Sequence, residues 1–513
     1  MRVALATPHT AALDAAETVV HQGGTVVDAA VAAAASLTVV SPHLCSVGGD
    51  LFALIRTPDG ATTCLNASGA YGSAGTAQRL LSTGGQMPLY GPEAVTVPGT
   101  VSGWGAVLNV GSALPLADVL APAIKQAAAG VPLSPGLATS LRVGADRLFV
   151  DPGMRAVFAP GGRPPEAGEL LRQPALAATL QELATDGLRS LYDGPLASRL
   201  AQGFERLEVP VTAADLAAHR VYVCEPLVGE HRGARVLTAP PNSQGYLLLG
   251  ILAALDLRDE ADPDPALLAE LFAAADAVRD LELADPTTMA VDRQALVPGQ
   301  ELLDVARARL ASGRPQPRSG PEPDGDTVAL TAVADDGTAV SLIQSSFHGF
   351  GSGLLEPGTG MTLHNRGCFF SLVPGHPNVL APGKRPAHTL MPVLVERPDG
   401  SIAAHGTMGG RQQPQIHTHL VQRMMEGATP QQAVAAPRFV VGAQDSASVT
   451  DRVLAEPGLD PRVLEQLGRC SLPVHDSGGK NNVGHAMISR LSADGSLAAG
   501  ADPRSDGGVL FTN

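Results

Sequence analysis

A hydroxyl side chain attacks an amide only when a base stands beside it, and a threonine that begins a chain carries that base as its own α-amine. The segment Thr327 to Ser346, TVALTAVADDGTAVSLIQSS, suits such an arrangement. Two β-rich runs flank Asp335-Asp336-Gly337, a hairpin loop in which Gly337 can take the left-handed conformation. If Ala334 faces Thr338, counting outward along both strands brings Ser345 opposite Thr327. Their Cβ atoms would lie about 4.5–5.5 Å apart, so that one hydroxyl can orient the other. A polar segment ending in Gly325-Asp326 leads into the strand. Strain at that junction favours attack of the Thr327 hydroxyl on the Asp326 carbonyl, and water opening the ester frees the amine. Taken alone, the hairpin fits a β-branched residue that merely opens a strand better than it fits a nucleophile.

A partner for developing negative charge is suggested by Ser401 to Gly410, SIAAHGTMGG, followed by a helical pattern with Pro414 early and Ile416, Leu420 and Met424 on one face. A strand, glycine turn and helix start would aim the N–H groups of Gly409 and Gly410 outward, although a tight turn needs glycine for its dihedrals too. Gly349 to Gly353, GFGSG, lacks the lysine of a phosphate loop and reads as a packing bend, and no GxSxG elbow occurs. Histidines crowd the C-terminal third without an HExxH pair, so neither a metal nor a cofactor is expected.

The elements that must position these groups fit a chain of 513 residues with ordinary apolar content, enough for one large or two medium domains. A net charge of −15 argues against nucleic acid and anionic membranes as partners. The N-terminal apolar run is cut short by Pro8 and His9, giving neither a secretory nor a spanning segment, and the expectation is cytoplasmic. Five scattered cysteines without a CxxC pair read as reduced thiols. Helical spacing recurs in Ala11 to Val40, Pro174 to Ala184 and Pro265 to Leu283, whereas short alternating strands dominate after residue 326. Ala159 to Gly168 and Ala311 to Asp326, rich in Pro and Gly, read as hinges, and no fixed-period repeat is visible.

Several runs, in order along nearly the whole chain, resemble the γ-glutamyltranspeptidase family. They are GGTVVDAAVAAAASLTVVSPHLCSVGGD (Gly23 to Asp50), VPGTVSGWG (Val97 to Gly105), PPNSQGYLLL (Pro240 to Leu249), the hairpin with its flanks (Asp326 to Gly353), GKRPAHTLMP (Gly383 to Pro392), Gly409-Gly410 and ADPRSDGG (Ala501 to Gly508). The resemblance implies an α+β fold, a four-layer αββα sandwich of the N-terminal-nucleophile type. It implies a cut between Asp326 and Thr327 into a large subunit, 1–326 with a linker at 311–326, and a small one, 327–513, forming one structural unit. Acyl transfer would run through a threonine ester, with Thr327 as nucleophile, Ser345 in support and Gly409 and Gly410 as oxyanion hole. A homodimer of such processed pairs is one assembly open to it.

Typical members hold the zwitterionic end of a γ-glutamyl group with an arginine, an asparagine, an aspartate and two serines. The matching positions here are Ser68, Phe347, Phe369, His388 and Thr389. A phenyl ring in place of the aspartate cannot pair an ammonium group. SLIQSSFHGFGSGLLEPGTG, HNRG and GHPNVLAPGKRPAHT look closer to the branch that includes oxamate amidohydrolase, where Arg366, His388 with Thr389, or Arg411 would take a substrate carboxylate. The expected activity is hydrolysis of a small carboxylate-bearing amide. A true γ-glutamyltransferase or glutathione hydrolase is the alternative, and an unprocessed binding relative a further one.

Overall fold

Phe52 and Leu54 on one face of strand Asp50–Arg56 alternate with Leu51, Ala53 and Ile55 on the other, and all five are fully buried. Such a strand belongs to a sheet covered on both sides, and the computed structural model supplies both covers. It describes residues 1–74, 76–83, 85–258, 264–289, 299–312, 325–444, 452–479 and 482–512. A seven-stranded sheet runs Gly508–Phe511, Val3–Thr7, Gly325–Ala334, Ala339–His348, Asp50–Arg56, Thr62–Asn66, Tyr222–Cys224. A six-stranded sheet runs Leu497–Ala501, His485–Leu491, Ile402–Met408, Val393–Glu396, Ala234–Thr238, Leu227–His231. Between them lies a core that includes Phe52, Leu54, Leu237, Ala329, Ile343 and Leu394.

Helices close the outer faces. Thr10–His21, Val26–Val40 and Thr100–Gly111 pack on the first sheet, with Leu116–Ala129 against Val26–Val40, while Gly245–Asp256 and Gln413–Met425 pack on the second, with Pro265–Glu282 against Gly245–Asp256. The layers are therefore helix, sheet, sheet, helix, the αββα sandwich of the N-terminal-nucleophile hydrolases. The expected helical run Ala11 to Val40 resolves into two helices. Gly23, at φ 89°, ends the first, and a capping box of Thr25 with Asp28 starts the second. Val26–Val40 is buried on every side, which its alanine-rich sequence permits.

Ala159 to Gly168 joins helix Pro152–Phe158 to the short strand Leu170–Leu171. Of the second hinge, residues 313–324 lie outside the described residues. The GFGSG stretch is a bend, with Phe350 and Gly351 both at φ 59°, and a side chain on Gly351 would run into the Leu363 carbonyl. Among the described residues no helix is long and apolar enough to cross a membrane.

Candidate active site

The hairpin forms in the register its turn dictates. Ala334 N–H donates to Thr338 O, Ala339 pairs with Val333, and the ladder continues to Gln344 opposite Val328. There it shifts by one residue, with Phe347 opposite Asp326. Ser345 and Ser346 thus bulge opposite Thr327, a device that re-aims side chains at sheet ends. Thr327 Oγ1 lies 3.0 Å from Ser345 Oγ, and Phe347 N–H donates to Ser345 Oγ at 2.8 Å. Thr327 is buried, and Phe347, beyond the bulge, sits at φ 78°, a conformation that costs an aromatic residue strain.

The glycine turn approaches from the second sheet. Strand Ile402–Met408 ends at Gly409, φ 154°, and a single 3-10 turn, Gly410–Gln412, leads into helix Gln413–Met425. That turn packs against strand Gly325–Ala334. A Cβ on Gly409 would meet Ile416 Cδ1 at 2.5 Å, and φ 154° strains any residue with a side chain, so glycine is favoured here. The carbonyls of the turn are drawn inward: Gln244 Nε2 donates to Gly410 O at 2.8 Å and Arg279 Nη1 to Arg411 O at 3.0 Å. Among the described residues no protein acceptor takes the N–H of Gly409 or Gly410. Preorganised donors of this kind stabilise a developing oxyanion.

Arg366 is fully buried in a 3-10 turn, Arg366–Phe369. Its guanidinium carbon stands 3.6 Å from the Phe347 ring centre, and Nη2 donates to Thr389 Oγ1 at 3.0 Å. Arg411 is also buried, with Nη2 donating to both Asp280 oxygens at 2.5 and 2.6 Å. Arg411, Asp280 and Phe369 line a cleft of about 280 Å³ that is otherwise largely apolar, with Met87, Leu89 and Leu283 in its wall.

His388 has no nitrogen to offer a substrate. Leu390 N–H donates to its Nδ1 at 3.2 Å, which puts the ring proton on Nε2, where it is donated to Asp50 Oδ2 at 3.1 Å. Burial, reinforced by the nearby Arg366 charge, pushes His388 down to about 3, in keeping with this neutral tautomer. Asp50 is equally buried. Burial alone would raise its carboxyl, but the imidazoles of His364 and His388 outweigh that and hold it below the usual carboxylate range. A neutral His388 acts on Asp50 as a hydrogen-bond donor and not as a charge. The Nε2–H donor, the Gly69 N–H donated to Oδ1 at 3.1 Å and the nearby start of helix Thr100–Gly111 still favour an ionised Asp50. Sequence reasoning passed over Asp50, although it closes the quoted run SVGGD. Among the described residues no cluster of three metal-ligating side chains occurs.

The gamma-glutamyltranspeptidase family model matches residues 12–512. The oxamate amidohydrolase proenzyme of Klebsiella pneumoniae subsp. pneumoniae is 38% identical, over 98% of this chain and 96% of its own. The glutathione hydrolase-like YwrD proenzyme of Bacillus subtilis is 34% identical, over 98% and 97%. Among solved structures, a cephalosporin acylase from Bacillus halodurans superposes with a TM-score of 0.89 at 32% identity, over 99% of this chain and 95% of that one.

Proposed function

Since the chain belongs to the gamma-glutamyltranspeptidase family, we propose that it is a self-processing amide hydrolase that cuts itself between Asp326 and Thr327 and then turns over a small carboxylate-bearing amide. The observation that carries this reading is the pair of hydroxyls, Thr327 and Ser345, 3.0 Å apart at a bulge, with the Gly410–Gln412 turn packed against the strand that carries Thr327. In the precursor, Thr327 Oγ1 attacks the Asp326 carbonyl carbon and the peptide nitrogen leaves as the Thr327 amine. Water opens the resulting ester, giving a carboxyl on Asp326. In turnover the amine takes the Thr327 hydroxyl proton as the oxygen attacks the substrate carbonyl. Gly409 and Gly410 N–H groups hold the oxyanion, Ser345 keeps the hydroxyl aimed, and water releases the acid from the threonine ester.

Arg366 is the favoured anchor for the substrate carboxylate, through a side chain braced by Phe347 and Thr389 next to the bulge. Arg411 is a weaker choice, since Asp280 already engages it. His388, with both nitrogens used, passes to a positioning role. Mass spectrometry of purified protein should find a fragment beginning at Thr327, and Thr327→Ala should abolish it. Oxamate and glutathione assayed side by side distinguish the acid-amide reading from the γ-glutamyl alternative, and turnover of glutathione alone would replace the former with the latter.

A further inference from the structure

Three neighbouring strands of the first sheet end in a row of polar side chains. Thr327 is opposite Ser345, and Ser345 is the direct cross-strand partner of Asp50. All three point into the space between the sheets, because they continue the alternation that puts Ala329, Ile343 and Phe52 in the intersheet core. His388 closes the row from the second-sheet side: its ring contacts Phe52 at 4.7 Å and its Nε2–H is donated to Asp50. The sequence Thr327, Ser345, Asp50, His388 is a lateral line of hydroxyl, hydroxyl, carboxylate and imidazole.

We infer that Asp50 is a positioning residue of the reaction, the fixed negative charge against which the amine of a freed Thr327 takes up its proton. The inference rests on the proposed role of Thr327. Two strand spacings, about 10 Å, separate the carboxylate from that amine. Both ends are buried, so water screens the interaction little. Asp50 is anchored against movement toward the new ammonium by the Gly69 N–H and the His388 Nε2–H. The step it favours moves one proton, from the Thr327 hydroxyl to the Thr327 amine, while the oxygen bonds to the acyl carbon. The charge so created is positive at the amine and negative at the oxyanion. Asp50 stabilises the first, and the glycine turn the second.

The other titratable and charged groups around the row come from several elements. His364 Nδ1 stands 3.4 Å from Asp50 Oδ2, and its Nε2 is within 3.0 Å of Thr96 O. His219 and Tyr192 face Asp50 from the helical side, with His219 pushed down to about 4 by burial. Arg366 stands by His388, and His348, beyond the bulge, is pushed down to about 3 by burial with Arg366 and Arg147 adding to it.

The test reads the Thr327 amine itself and needs no known substrate. Trace labelling of wild-type processed protein with acetic anhydride across pH, read by mass spectrometry on the Thr327 peptide, gives the amine's titration midpoint. In processed Asp50→Asn the midpoint should fall by about one pH unit, a tenfold loss of proton affinity, and Asp50→Glu should restore it. Asp50→Ser is a second neutral variant should the asparagine form fail to fold. A midpoint unmoved in both neutral variants, with the fragment present, overturns the role of Asp50 alone. Absence of any Thr327 amine in the wild type overturns the proposed function, and this inference with it.

Discussion

The two flanks of Thr327 are built differently. On one side stand Ser345 and Asp50, set by strand pairing at the ends of a buried sheet. On the other stand Arg366, Phe369 and Arg411, carried by 3-10 turns and linked by ring faces and ion pairs. Strand register fixes a side chain by many backbone hydrogen bonds at once, whereas a turn fixes it through a few contacts of its own. The difference suggests that the nucleophile is held by the sheet and substrate choice by the turns, with the glycine turn after Ile402–Met408 serving the nucleophile's side.

The sharpest way to break that division is at its centre. Thr327→Ala should remove both the chain cut and all turnover, and a persistent fragment with activity would refute the assignment. Next in size is Gly409→Ala. Its Cβ meets Ile416 and the residue cannot keep φ 154° without strain, so kcat should drop about a hundredfold with KM little changed. The turn side should respond in the opposite sense. Arg366→Ala should raise KM for an anionic amide about tenfold while sparing kcat, and an unchanged KM would take Arg366 out of substrate binding.

Acid sensitivity offers the smallest and most diffuse effect. His348, His388, His405 and His419 are each pushed from 6.5 down to about 3 by burial. Between those values the unfolded chain binds protons that the folded one does not, so stability is full above about 6.5 and declines as pH falls toward 3. His405 lies on Ile402–Met408, well back from the glycine turn. His405→Leu should flatten the fall in Tm by roughly 1–2 °C per pH unit. A steeper fall would mean that His405 is not a buried neutral group.

The sheet side was the more legible of the two in sequence, and the reason is locality. The Thr327–Ser345 pairing follows from a three-residue loop whose register propagates along both strands, and the ladder obeys it as far as Gln344. The bulge beyond was hidden, because an extra residue leaves no mark in the alternation of so short a run. The glycine turn was legible for the same local reason, through SIAAHGTMGG and the helix after it. Asp50 was not, since its place beside Ser345 comes from pairing two strands nearly three hundred residues apart. His388 was read as a substrate contact because its neighbours in sequence say nothing of Asp50 or of the backbone N–H at Leu390. The burial of Arg366 likewise depends on Phe347 and Phe369 folding around it. The break at Gly23 within the first helical run could have been foreseen from the Gly23-Gly24 pair and the Thr25 cap.

The strand order of the first sheet carries one more consequence. Reading across it, Gly508–Phe511 is followed by Val3–Thr7, then Gly325–Ala334 and Ala339–His348, then Asp50–Arg56. Once a cut precedes Thr327, each fragment is threaded between strands of the other in this sheet, and the six-stranded sheet also draws strands from both. A nicked molecule pulled apart by denaturant must then reassemble from two partners at a rate that depends on concentration, whereas its uncut ancestor folds as one. A single chain brings these interleaved strands together without that concentration dependence, so a link that is later cut would still serve the assembly of the shared sheets.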